Sequence, residues 1–430
     1  MAIEFDKLGW VDRLLTLWIA LAVGLGIGLS YIPGVSDFLT GATVGGDTNI
    51  FLAVGLIVMM YPPLMRVDYG RVGQIFKNPK AVGTSISLNW IIGPWLMTFL
   101  GLAVLHSHPE LLQGLVLIGI ARCIAMVLIW CELAGAEMDL AVTLVLVNSV
   151  LQILLYSVYE MLIIQIFLPA LDISSDNGED LPIGESFLLV LESVAIYLGI
   201  PFALGFGTWI IGQRFLGETK YTKFANTIGP LALCSLLFVI VIIFAMSGSQ
   251  MVDEITSVLL VAVPLILYFL IMFVGSFLLC WKMDMPYGKT SAIAFTAAGN
   301  NFELALALAI ALYGANSEQA LAAVVGPLIE IPVMLILVFI SRWLAGYLEF
   351  SDDNEELRRL CEENGCDYEQ CLADNIQKEC KKDQCDVVEC LKSRKVVPSD
   401  IAGSDVAIVD GSGSFSDKGD LGIKVVGAQN

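Results

Sequence analysis

Long apolar stretches follow one another through residues 1–350, with short polar connections between them. Each stretch is close to or above the roughly 20 residues that an α-helix needs to cross a bilayer. Several are longer than about 25 residues, which predicts tilted or broken helices. The pattern predicts an all-α membrane protein with ten transmembrane helices, at approximately 14–32, 49–65, 81–105, 111–133, 140–170, 183–211, 226–246, 255–281, 290–313 and 319–347.

The composition supports a membrane protein and excludes a soluble helical one. The chain is 57% hydrophobic and 15% charged, with a mean hydropathy of +0.78. A soluble domain is roughly half apolar and a quarter charged. The net charge of −20 argues against nucleic acid as a partner, because nucleic-acid binding needs a basic surface. The lipid bilayer is therefore the expected environment.

The Lys and Arg residues of the short connections indicate the orientation of the chain. They follow the second, sixth and eighth predicted helices, whereas the connections after the first, third, fifth, seventh and ninth contain none. Because positive residues stay on the cytoplasmic side, we expect a multi-pass protein of the inner (plasma) membrane with both termini in the cytoplasm. The connection after the fourth helix is acidic and is the weak member of this alternation.

The predicted helices of the first half recur in the second half. A single sequence offset, which carries Leu14 onto Glu192 and Leu140 onto Glu318, places the first five helices on the last five, although few residues are identical. Because five is an odd number, the second copy must cross the membrane in the opposite direction. Inverted repeats of this kind are typical of secondary transporters, which bind their substrate near the midplane between discontinuous helices. The sequence therefore predicts two inverted five-helix repeats.

Helices four and nine carry polar residues in the middle of apolar spans. Helix four contains Arg122 and Cys123, and helix nine contains Asn300, Asn301 and Glu303. The same offset carries Arg122 onto Asn300, so the two clusters occupy equivalent places in the repeats. Polar groups within a membrane mark substrate and ion pathways. We therefore predict that helices four and nine are the broken helices and that the substrate binds at their breaks.

Arg122 and the buried acids each have two interpretations. A charge in mid-membrane costs at least about 2.5–3.5 kcal/mol, so Arg122 either faces a substrate cavity or binds backbone carbonyls at the break. Glu303 is favoured as a proton carrier over a structural hydrogen-bond partner, because it lies in the break motif. Glu330 in helix ten is a second candidate proton site or gate, and Glu160 in helix five is a weaker one.

Cys123 is the residue with the most specific chemistry. A cysteine within a membrane is usually a small hydrophobic residue, and Cys131, Cys234 and Cys280 fit that interpretation. Cys123 differs because it lies beside Arg122 in a predicted break, and both interpretations stay open for it. A thiol in a permeation site is a soft ligand and indicates a soft substrate.

The composition changes abruptly after residue 350. We predict a cytoplasmic, acidic, Cys-rich segment at 351–395 and a disordered tail at 396–430. Thiols are expected there, because the cytosol is reducing. Three interpretations stay open: sites for a soft metalloid, a zinc module or no bound ion. The cysteines form two C-x4-C-x4-C groups: Cys361, Cys366, Cys371, Cys380, Cys385 and Cys390.

Several motifs resemble those of one transporter family. The segments NWIIGP (89–94), GIARCIAMVLIW (119–130) and AGNNFELALAL (298–308) closely resemble the arsenite efflux permeases of the bile acid/arsenite/riboflavin transporter superfamily. The resemblance covers about residues 8–348 and implies two inverted five-helix repeats with crossed broken helices 4 and 9. It further implies efflux of trivalent arsenic driven by inward proton flow, with Cys123 and Glu303 required for transport. The Cys-rich tail departs from the family pattern.

The resemblance leads to one mechanism and leaves two alternatives. Cys123 is expected to take arsenite from the cytoplasm while Asn300 and Asn301 bond its hydroxyls, and protonation of Glu303 from outside favours release. Antimonite is also trivalent and thiophilic, so the preference between the two stays open. One alternative is a sodium- or proton-coupled organic-anion carrier of the bile-acid branch. The other is a membrane-anchored metalloid sensor that uses the tail.

We expect neither an enzyme nor a resident cofactor. The sequence contains no H-E-x-x-H motif, no G-x-S-x-G motif and no paired membrane aspartates. The expected partners are arsenite, protons and the bilayer. The sequence does not predict the oligomeric state.

Overall fold

The computed structural model describes residues 15–44, 48–67, 69–70, 79–173, 183–215, 217–314, 317–348 and 350. In this part of the chain the secondary structure is helical, apart from a hairpin of β1 (Thr43–Val44) and β2 (Thr48–Asn49). The predicted all-α class is therefore confirmed. The predictions for 351–395 and 396–430, including the six cysteines, lie outside the described residues.

The first half of the chain contains long helices and two π-helical segments. Ser87–Ile92 joins two helices, and Met161–Phe167 extends another. A π-helical segment is a local widening of the helix and is common near functional sites. The α-helices are α1 (Leu15–Ser30), α2 (Val35–Gly41), α3 (Ile50–Met65), α4 (Pro79–Ile86), α5 (Gly93–Leu105), α6 (Pro109–Ile120), α7 (Met126–Ala134) and α8 (Met138–Glu160).

The second half of the described chain contains seven α-helices. Its members are α9 (Ile183–Val194), α10 (Ile200–Phe215), α11 (Glu218–Asp253), α12 (Ile255–Lys282), α13 (Tyr287–Ala298), α14 (Phe302–Tyr313) and α15 (Glu318–Leu344). A π-helical segment, Ala195–Gly199, joins α9 to α10. Helices α6 and α13 have the same length, and the offset between the halves carries the first residue of α6 onto the first residue of α13.

Six helical segments are long and apolar enough to cross a membrane, and the bent pair α1–α2 brings the number to seven if it counts as one span. The chain is therefore a multi-pass helical membrane protein. The number ten stays a prediction, since its other members are α3 and the short pairs α6–α7 and α13–α14. The six segments are Pro79–Leu105, Met138–Leu171, Gly184–Phe215, Lys220–Ser249, Ile255–Lys282 and Glu318–Leu344.

The helices pack in two groups. In one group α11 lies against α1 and α3, and α10 lies against α3. In the other group α12 contacts α5, α13 and α15, while α6 contacts α5 and α15. The second group includes both short-helix pairs, whose ends meet in the interior, so it positions the polar residues of the predicted site.

Candidate functional site

Helices four and nine of the prediction are both broken. Helix α6 ends at Ile120 and α7 begins at Met126, whereas α13 ends at Ala298 and α14 begins at Phe302. The residues between them, 121–125 and 299–301, leave the helical conformation. We call these two segments the first break and the second break.

The two breaks pair with each other through their backbones. Arg122 and Asn300 form an isolated antiparallel bridge. The Cys123 N–H donates to the Gly299 carbonyl at 3.3 Å, and the Asn301 N–H donates to the Ala121 carbonyl at 3.2 Å. Irregular backbone at membrane depth is tolerated only where its polar groups find partners. The broken helices therefore cross, and each break supplies hydrogen-bond partners to the other.

Arg122 is fully buried beside the first break. Its guanidinium donates to the Tyr268 hydroxyl at 2.9 Å and to the Gly119 carbonyl in the last turn of α6. A helix C-terminus carries partial negative charge, which favours a cation there. A Cβ atom on Gly93 would lie 2.8 Å from a guanidinium nitrogen of Arg122, so glycine at this position makes room for the guanidinium. The Gly119 contact is the one expected if Arg122 binds a backbone carbonyl at the break, and the Arg122 Nε has no hydrogen-bond partner among the described residues.

The Cys123 thiol lies at a helix N-terminus, whereas the Arg122 guanidinium lies at a helix C-terminus. The side chain is buried, and its sulfur accepts from the backbone N–H groups of Met126 and Val127 in the first turn of α7. Partial positive charge at a helix N-terminus offsets part of the cost of a buried anion. A Cβ atom on Gly299 would lie 2.9 Å from the Cys123 Cβ, so glycine at 299 makes room for the cysteine.

Asn300 and Asn301 are buried, and each has one polar atom without a hydrogen-bond partner among the described residues. The Asn300 amide donates to the Ile118 and Ala121 carbonyls at 2.8 and 3.1 Å, which leaves its Oδ1 unpaired. The Asn301 Oδ1 accepts from the Leu304 N–H at 3.0 Å and caps α14, which leaves its Nδ2 unpaired. One spare acceptor and one spare donor therefore remain at the second break.

Two carboxyl groups lie within electrostatic range of Cys123. Glu303 is in the first turn of α14 and Glu330 is in α15, and both side chains are buried. Both interact electrostatically with the Cys123 sulfur. The Glu330 carboxylate accepts from the Asn300 backbone N–H, and its Oε1 has no partner among the described residues. The crossing therefore brings a thiol and two acids together.

Glu160 does not belong to this group. It is the last residue of α8, and its Oε1 accepts from the Gln165 amide at 2.9 Å. This contact matches the structural interpretation of a buried acid. Among the described residues no group of three or more His, Cys, Asp or Glu side chains could hold a metal ion.

Sequence reasoning missed two residues that hold the site, Gln152 and Tyr268. Gln152 in α8 is fully buried and accepts from the Arg122 backbone N–H. Tyr268 in α12 accepts from the Arg122 guanidinium. Only the offset between the two halves could have indicated Gln152, because it carries Gln152 onto Glu330. The Tyr268 contact joins distant parts of the chain and has no local signal.

The chain is similar to known transporters over most of its length. The profile of the Sodium Bile acid symporter family matches residues 53–254. The arsenical-resistance protein Acr3 of Corynebacterium glutamicum is 39% identical over 344 residues, which cover 80% of this chain and 91% of that protein. An uncharacterized transporter of Synechocystis sp. is 32% identical, covering 81% and 92%. The Acr3 of Alkaliphilus metalliredigens is 28% identical, covering 79% and 94%.

We expect Asn301→Ala to lower the free energy of unfolding by about 1 kcal/mol, because α14 loses its N-cap. Asn301→Asp keeps the capping oxygen and should lower the free energy of unfolding by less. Asn49→Ala is the matched control, since the Asn49 Oδ1 caps α3 by accepting from Phe51 and Leu52 N–H groups, both at 3.1 Å. Thermal unfolding in detergent measures all three variants.

Uptake of the transported solute into membrane vesicles distinguishes the role of the Asn301 cap from that of the Asn49 cap. The Asn301→Ala variant should lose uptake as well as stability, whereas Asn49→Ala should lose stability alone. Equal uptake in the two alanine variants would contradict the placement of Asn301 in the site.

Proposed function

Because this chain belongs to the Acr3 family of arsenical-resistance proteins, we propose that it exports trivalent arsenic from the cytoplasm in exchange for protons. The observation that carries this proposal is the position of the Cys123 thiol at the crossing of two broken helices, within electrostatic reach of Glu303 and Glu330. A thiol supplies the soft ligand for the metalloid. A carboxyl group supplies a site for the proton.

A single thiol suits a substrate that must be bound and then released. Arsenite is a neutral trihydroxide, and the Cys123 thiol replaces one hydroxide. An As–S bond forms, an As–O bond breaks, and the thiol proton leaves with the hydroxide as water. Three thiolates would hold arsenic too tightly for transport, whereas conduction needs binding that is favourable but reversible. The same reasoning applies to antimonite.

The two asparagines complete the substrate site. When arsenic is held by Cys123, two hydroxyl groups remain on it. The unpaired Oδ1 of Asn300 accepts a hydrogen bond from one hydroxyl, and the unpaired Nδ2 of Asn301 donates to another. Hydrogen bonds to these buried atoms recover a desolvation cost of about 1–3 kcal/mol each. This gain favours a polyhydroxylated substrate over an apolar one.

We assign the exchanged proton to Glu303 rather than to Glu330. The Glu330 carboxylate is engaged by the Asn300 backbone N–H, whereas within the part of the chain that the structure describes the Glu303 carboxylate accepts from no backbone N–H except its own. Protonation of Glu303 from the outside removes a negative charge beside Cys123 and favours release of arsenic. The return of the proton to the cytoplasm resets the carrier.

The transport architecture that we propose is a pair of inverted five-helix repeats. Five pairs of segments, from α1 with α9–α10 to α8 with α15, correspond at one constant sequence offset. The same offset relates Arg122 to its bridge partner Asn300. An odd number of helices per repeat requires opposite orientations, as in other secondary transporters. We also propose the inner (plasma) membrane and cytoplasmic termini, on the charge pattern of the connections.

A sodium- or proton-coupled organic-anion carrier is the second candidate, favoured by the match of residues 53–254 to the Sodium Bile acid symporter family. It predicts uptake that depends on sodium and does not need Cys123. The thiol at the crossing favours the arsenic exporter.

We expect Cys123→Ser to abolish arsenite accumulation in everted vesicles with an acidic interior, because serine provides no soft ligand. Cys131→Ser is the matched control, since Cys131 is also a buried free cysteine. The control should accumulate arsenite at the wild-type rate, and dissipation of the proton gradient should stop accumulation in both wild type and control. Accumulation that needs sodium and survives Cys123→Ser would favour the organic-anion carrier.

We expect Glu303→Gln to reduce gradient-driven accumulation at least about tenfold, because a neutral amide cannot carry a proton. Gradient-independent arsenite exchange should persist in this variant. Glu330→Gln should retain accumulation, since a glutamine oxygen can still accept from the Asn300 N–H, and Glu160→Gln serves as the control away from the thiol. The reverse pattern, with Glu330→Gln inactive in accumulation and Glu303→Gln active, would assign the proton to Glu330.

A further inference from the structure

Each break is held by one side chain from the last long helix of its own half. The Arg122 backbone N–H donates to Gln152 Oε1 of α8, and the Asn300 backbone N–H donates to the Glu330 carboxylate of α15. Arg122 and Asn300 are bridge partners, and the offset that carries Arg122 onto Asn300 also carries Gln152 onto Glu330. The same backbone support therefore occurs twice, with a neutral acceptor at the first break and an ionisable acceptor at the second.

Gln152 is placed to control the residue that carries the thiol. Its oxygen holds the amide of Arg122, the residue immediately before Cys123. The Gln152 side chain is fully buried, and its Nε2 has no partner among the described residues. One turn earlier on α8, the Asn148 Oδ1 accepts from the Trp90 indole N–H at 3.0 Å. This second hydrogen bond connects the same part of α8 to the π-helical segment before α5. The part of α8 that carries Gln152 is therefore held in place.

We propose that Gln152 is the positioning residue of the first break, which carries the Cys123 thiol. Its oxygen fixes the peptide plane between Ala121 and Arg122, which is one residue before the peptide that joins Arg122 to Cys123, and it thereby orients the backbone that carries the thiol. Because a glutamine carries no charge, the first break is held in the same way whether Glu303 and Glu330 are protonated or ionised. The consequence for the arsenic carrier rests on the function proposed above: loss of the Gln152 oxygen should weaken arsenite binding more than it slows turnover.

The test compares two substitutions of Gln152 with a control on the same helix. Gln152→Met keeps the length of the side chain but removes the acceptor, whereas Gln152→Glu keeps an acceptor oxygen. The control is Ser149→Ala, because the buried Ser149 hydroxyl donates to the Val145 carbonyl of its own helix. Two experiments are run on the full chain. The first measures by mass spectrometry the rate at which N-ethylmaleimide labels Cys123, with and without arsenite. The second measures KM and kcat for arsenite in everted vesicles.

We expect Gln152→Met to change the labelling rate of Cys123 and to raise KM about tenfold or more, with kcat changed less than KM. A buried amide left without its acceptor accounts for an effect of this size. Gln152→Glu should keep the labelling rate and KM near the wild-type values, and Ser149→Ala should change neither the labelling rate nor KM. A general loss of stability would instead lower the amount of active protein and therefore kcat. Such a loss would not be specific to Gln152→Met and absent from Gln152→Glu.

The outcomes separate this proposal from the function on which it rests. Wild-type labelling and wild-type KM in Gln152→Met would overturn the positioning role, even if the chain transports arsenite. If Gln152→Met alters labelling while arsenite never protects wild-type Cys123, the positioning role stands and the arsenic function fails. An equal defect in Gln152→Met and Gln152→Glu would also overturn the proposal, because the acceptor oxygen would then not be the cause.

Discussion

The backbone of two broken helices, buried at membrane depth, is the constraint on which the rest of the structure depends. A break such as 121–125 exposes amide and carbonyl groups that an intact helix would pair, and each unpaired group costs several kcal/mol in hydrocarbon. The second break supplies part of the partners through the bonds of Cys123 and Asn301. Gln152 and Glu330 supply others. The halves of the chain must therefore meet at this point.

The chemistry of the site follows from the four helix ends that meet there. The C-termini of α6 and α13 carry partial negative charge, and the N-termini of α7 and α14 carry partial positive charge. Arg122 binds a carbonyl at the end of α6, whereas Cys123 accepts from amides at the start of α7. Glu303 lies in the first turn of α14. Arg122, Cys123 and Glu303 are thus each beside the helix end of opposite sign, which lowers the cost of placing them in a membrane.

The sequence predicted both the place of the crossing and most of its residues. Polar residues at 122–123 and 300–303 interrupt apolar spans, and the cost of polar groups in a membrane makes such interruptions informative. The number of spans stays a prediction, because helix length and hydropathy alone do not show whether a pair of short helices such as α6 and α7 crosses the membrane as one span. The partners of Arg122 could not be predicted, since Tyr268 is distant in sequence and depends on how α12 packs.

The coordination of arsenic in the purified protein shows whether Cys123 is the single sulfur ligand of the substrate. Arsenic K-edge X-ray absorption would be recorded with arsenite bound to the full chain in which serine replaces the six cysteines between 361 and 390, so that the tail cannot bind it. Binding by the single thiol of the site predicts one sulfur and two oxygen neighbours, and loss of the sulfur neighbour when Cys123→Ser is added. Arsenic with oxygen neighbours alone, or a sulfur neighbour that persists without Cys123, would contradict it.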